Sequence, residues 1–154
     1  MESYLRRLQL TEITDPPFGV GAFIIGNILI IGEQASGPET APNQKPFCSD
    51  KGCSKWLNRL LADEKIQEEK LFWINVLNND GSIVDLKSFV GLLRPAFVIS
   101  LGNVAHQECK QQVIEHYFEY HPQYWKRFKS NHRYHLLDLL SELSARIPTR
   151  KLYK

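Results

Sequence analysis

Three short apolar runs, "ILII" at Ile28–Ile31, "LFWINV" at Leu71–Val76 and "FVISL" at Phe97–Leu101, constrain this chain more than any other feature. Each is nearly continuous in apolar residues rather than alternating, which is the pattern of a strand buried on both faces. Between and after them stand segments of helical period. Cys53–Asp63 puts Trp56, Leu57, Leu60 and Leu61 on one face, Val84–Leu93 and Asn103–Glu115 follow, and Tyr134–Ser144 closes the series with Leu136, Leu137 and Leu140 inward. Tyr117–Tyr120 has the character of a fourth strand. The alternation predicts an α/β fold, a parallel sheet with helices on both faces.

Size and composition agree with one unit. A chain of 154 residues with 43% hydrophobic and 23% charged residues supports one core, so 1–154 reads as a single domain. The apolar stretch Phe18–Gly32 is broken by glycines and by Asn27, too short and too interrupted to span a membrane. Met1–Leu10 reads as a charged amphipathic segment rather than a cleavable leader, so a cytoplasmic protein is expected. Three cysteines suit reduced thiols better than a disulfide framework. Cys48, Cys53, Cys109 and His106 lack the paired spacing of a zinc site, and no metal or other cofactor is expected.

Charge is unevenly spread behind a net +2. From Pro122 onward, Lys126, Arg127, Lys129, Arg133, Arg146, Arg150, Lys151 and Lys154 face only Asp138 and Glu142. A run of cations is often no more than a solvated face. It is also what a phosphate backbone demands, through release of condensed counterions.

In open α/β sheets, ligands bind beyond the carboxyl ends of the strands. The residues there are Glu33, Asn75, Gly102 with Asn103, and His121 with Pro122. A carboxylate, an amide and an imidazole are thereby predicted to share one rim. Taken singly, each has an ordinary explanation as a cap or a satisfied polar group; together they suggest a site.

The ordered pieces "ILIIGEQASGPE", "KPF" ahead of "WLNRLLAD", "LFWINVLN", "LLRPAFVISLGNVAHQ" and "YHPQYW" resemble the uracil-DNA glycosylase superfamily, most nearly its thermophile-type, iron–sulfur branch. The likeness covers roughly Asn27 to Leu140. It implies a three-layer α/β/α fold around a central four-stranded parallel sheet, and hydrolysis of the N-glycosidic bond of uracil or another modified pyrimidine in DNA after base flipping. It further implies that Phe47 stacks on the base, that Asn75 reads its edge, that Glu39 lies near its C5 position, and that His121 faces the departing base while Glu33 serves the sugar. Where relatives carry Pro-Gly this chain has Ala35-Ser36, Lys45 stands in place of an arginine, and the branch's cluster cysteines are missing, so no iron–sulfur cluster is expected.

After His121 the chain departs from the family, interleaving Tyr124, Trp125 and Phe128 with Lys126, Arg127 and Lys129. Tyr124, Trp125, Lys126, Arg127, Lys129 and Arg133 are the expected DNA contacts, with aromatic insertion beside a flipped base set against plain packing of Trp125 and Phe128 on one helical face. The expected partner is DNA, met by a monomer. A catalytically silent DNA-binding module and a hydrolase of free nucleosides are the alternatives.

Overall fold

The three apolar runs pair side by side. The structure, a computed structural model, describes residues 12–13, 19–34, 52–78 and 81–148. Its strands are β1 (Glu12–Ile13), β2 (Gly19–Gly21), β3 (Ile28–Gly32), β4 (Leu71–Asn75), β5 (Phe97–Leu101) and β6 (Tyr117–Glu119). They form one sheet in the order β1-β2-β4-β3-β5-β6. The described helices are α1 (Gly52–Asp63), α2 (Leu86–Leu93), α3 (Asn103–Gln111), α4 (Pro122–Phe128) and α5 (His135–Ala145), with a single 3-10 turn at Glu68–Lys70.

The α/β class expected from the sequence holds. An all-parallel four-stranded sheet does not describe the whole: β4, β3, β5 and β6 are parallel, but β2 adds antiparallel to β4 and β1 antiparallel to β2. The sheet is therefore mixed. Sequence patterning missed β2 because "GVG" has little strand propensity. Its glycines answer to the neighbour instead: a Cβ at Gly19 would fall 2.4 Å from the Phe72 ring.

Alternate residues of each central strand serve opposite faces, which is why the runs are continuously apolar. Ile28, Ile30, Leu71, Trp73, Ile99 and Leu101 pack with Leu57 and Leu61 of α1, Trp125 of α4, and Leu136, Leu137, Leu140 and Leu143 of α5. Leu29, Ile31, Phe72, Ile74 and Val98 pack with Leu86, Phe89 and Leu93 of α2 and Ala105 and Cys109 of α3. Burial pushes the Cys109 thiol up to about 11, so it is a packing group rather than a nucleophile.

Two polar devices fasten the ends. Asp85 caps α2, accepting from the Ser88 N–H at 3.1 Å and from the Ser88 hydroxyl at 2.7 Å, and these bonds hold its carboxyl below the usual range. Lys70, buried at the start of β4, donates from Nζ to the carbonyls of Ser144 (3.0 Å) and Ile147 (2.7 Å). A cation there meets the negative end of α5, and at Ser144 it adds a second donor to a carbonyl that already accepts from the Ile147 N–H at 3.1 Å. Among the described residues no helix is long and apolar enough to cross a membrane.

Candidate active site

The registers line up the carboxyl ends of the parallel strands. Gly32 pairs with Asn75, Ile31 with Ser100, and Leu101 with Glu119. With neighbouring strands about 4.8 Å apart, the rim runs in the order Asn75, Glu33, Gly102, His121. The three side chains that the sequence pointed to do share one edge.

Connectivity marks the same place. The chain leaves β3 toward α1 on one face of the sheet and leaves β5 toward α3 on the other. Open α/β sheets place their ligands where the connections of adjacent strands diverge in this way, and that switch point falls between Glu33 and Gly102.

Each group on the rim is held differently. The Glu33 backbone is fixed, its carbonyl accepting from the Leu77 N–H at 2.9 Å, while its exposed carboxylate bonds to no described residue. Asn75 is only 8% exposed, yet its carboxamide makes no hydrogen bond among the described residues. Its polar atoms are not sealed from solvent, so the amide is accessible at the strand end.

His121 ends the extended segment after β6 and caps α4. Its Nδ1 accepts from the Gln123 N–H at 3.1 Å. That bond leaves Nδ1 without a proton, and burial lowers the pKa of the ring, so the imidazole is neutral with its proton on Nε2. Gly102 makes room for it: its φ is +89°, and a Cβ there would lie 3.1 Å from the His121 Cβ. The Tyr134 hydroxyl, donating to the Tyr120 carbonyl, ties α5 to the residue just before His121.

The cationic segment separates into three kinds of residue. Lys126, Arg127 and Lys129 are exposed and form no ion pair among the described residues. Arg133 is already answered, by Glu64 at 2.8 Å and Asp138 at 2.7 Å, and these bonds raise its pKa further. Trp125 is 4% exposed, stacks on Tyr134 and donates from Nε1 to the His132 carbonyl at 3.0 Å. This corrects the expectation that Trp125 inserts into DNA: its face and its N–H are both used inside the fold. Tyr124 remains exposed.

Phe47 and Glu39, expected to stack on and border a base, lie outside the described residues, as do Ala35, Ser36, Lys45 and Cys48. Among the described residues no group of three or more His, Cys, Asp or Glu side chains could hold a metal ion. Sequence reading passed over Phe118, Tyr120 and the His106–His116 pair, whose Nδ1 and Nε2 lie 2.8 Å apart. The aromatic density of "HYFEYHPQYW" was the available signal. Neither the models of protein families nor the curated proteins give a match to this chain.

Proposed function

We propose that this chain is a DNA glycosylase that hydrolyses the bond between deoxyribose and uracil or another modified pyrimidine, on a three-layer fold of the uracil-DNA glycosylase kind. The observation that carries this reading is the rim itself, where three groups stand at or just past the ends of β4, β3 and β6: an amide and a carboxylate, neither bonded to any described residue, and a neutral Nε2–H imidazole. The ordered motifs of the sequence support it independently.

The chemistry follows from what each group can do. Asn75 can donate to a ring carbonyl and accept from a ring N–H at once, which suits uracil and not cytosine. As the C1′–N1 bond breaks, its electron pair leaves with the base, and the negative charge that gathers on O2 meets the Nε2–H of His121. Positive charge grows on the sugar, where Glu33 stabilises it, orients the attacking water and accepts the water's proton as the new C1′–O bond forms.

The test is release of free uracil from a uracil-containing oligonucleotide with EDTA present, followed by mass spectrometry of the released base. Uracil in the filtrate, slowed by about 10²–10³-fold in His121→Ala, is the expected result. An intact strand at enzyme excess would overturn uracil as substrate. Tight binding of the uracil strand without any release would instead favour the catalytically silent module.

A further inference from the structure

A line of aromatic rings leaves the rim beside His121 and crosses the edge of the sheet. His106 meets Phe118 at a centroid distance of 5.0 Å, Phe118 meets Tyr120 at 5.6 Å, Tyr120 stacks on Tyr124 at 5.1 Å, and Tyr124 meets Phe128 at 5.2 Å. The rings come from α3, the edge strand β6, the residue that follows it, and α4. From Phe118 to Phe128 they are between 41% and 64% exposed. A protein does not need so many half-bare rings in one row for its own packing, and a contiguous exposed apolar patch marks a binding surface.

Charge decides what kind. Lys126, Arg127 and Lys129 sit on or directly after the same short helix as Tyr124 and Phe128, without ion pairs among the described residues. A carboxylate, Glu119, stands in sequence between Phe118 and Tyr120. It belongs to the other side of β6, half-buried and close to His135. Aromatic faces bordered by cations suit a polyanion with flat bases. Successive rings stand farther apart than the roughly 3.4 Å rise of a duplex strand, so they match bases already pulled out of a helix. A duplex hides the faces of its bases from such a row.

We propose that His106, Phe118, Tyr120, Tyr124 and Phe128 form a track for single-stranded DNA, whose bases lie along the rings while Lys126, Arg127 and Lys129 hold its phosphates. The track would lead a strand past His121. It rests on the ring geometry and the cations beside it, not on base excision, and it is tested with a strand that has nothing to excise.

The probe is a fluorescent oligothymidylate of about 12 nucleotides, followed by anisotropy and compared with the same strand annealed to oligoadenylate. The single strand is expected to bind more tightly. Tyr124→Ala and Phe128→Ala should each weaken it by about 5- to 150-fold, the range of one lost base–aromatic stack, with unchanged thermal melting. Tyr120→Phe, which keeps the ring, should bind as the parent does. Lys126→Ala should lower the salt slope by about 0.7, the single-strand value per phosphate. Ring variants that melt normally and bind like the parent would overturn the track, as would equal affinity for duplex. A dimer in sedimentation that Phe128→Ala disperses, with no DNA bound, would overturn it too and assign the face to a second copy of this chain. If thymidylate binds through the rings and no uracil is released, the track stands and the excision reading fails. Uracil release without thymidylate binding through the rings keeps excision and removes the track.

Discussion

At the scale of single residues, Asn75 presents the sharpest contrast between fold and function. The residue is mostly buried, but its carboxamide is not sealed from solvent and bonds to no described residue, so nothing in the described packing depends on its hydrogen bonds. Asn75→Leu is therefore expected to leave the melting temperature unchanged or higher, while base release falls by about 10²-fold or more. Calorimetry together with a single-turnover assay reads both quantities. A clear loss of stability would mean that the amide is structural. His121 makes a different demand. Burial disfavours its protonated form, as it does for His106, so the stability each contributes is full above the ordinary histidine pKa of about 6.5 and is lost as pH falls through the lower folded value. His121→Gln should accordingly flatten the decline of unfolding free energy on acidification, as measured by urea titrations across that window.

Among the elements, what the sequence disclosed follows from burial. Ile28–Ile31, Leu71–Val76, Phe97–Leu101 and Tyr117–Tyr120 fall within a residue at either end of β3, β4, β5 and β6, because an apolar run flanked by turns leaves little choice. Helix ends were less legible. The expected helix through Glu115 stops at Gln111, since Val113 turns left-handed at φ 58° and the Ile114 N–H reaches back to the Cys109 carbonyl at 2.8 Å. That closing turn suits glycine, and no local pattern announces it when valine stands there. The side chain is 84% exposed and packs against little, so Val113→Gly should relieve strain and stabilise the fold by about 1 kcal/mol. A rise in melting temperature of about 2–4 °C would register it. Trp125 was ambiguous for a similar reason: a tryptophan among cations fits a wedge or a core equally well until Tyr134 and the His132 carbonyl, neither of them local, are placed beside it.

Across the whole molecule, the basic face behaves as a set of unequal charges. If DNA lies along it, Lys126→Ala, Arg127→Ala and Lys129→Ala should each reduce the duplex salt slope by about 0.9. Arg133→Ala should reduce it less and instead cost a little stability, as exposed bridges screened by solvent contribute little. Anisotropy titrations at several salt concentrations separate these outcomes. The rim order was accessible from sequence because strand ends are easily found, but the divergence of the connections that follow β3 and β5 was not: it depends on which face each connection takes, a property of the assembled sheet.

The sealed amine of Lys70 gives this architecture a built-in clock. The other described lysines are exposed, whereas Lys70 is enclosed with its nitrogen held by two carbonyls at the far end of α5. An amine so enclosed cannot meet an acylating reagent until α5 lifts from the sheet. Its labelling should therefore trail that of Lys55, Lys65, Lys87, Lys110, Lys126 and Lys129, at a rate set by local opening rather than by amine chemistry. Peptide mass spectrometry over a time course would show one slow lysine among fast ones, and the lag would measure how often the α5 side of the sheet comes undone in a molecule that is otherwise folded.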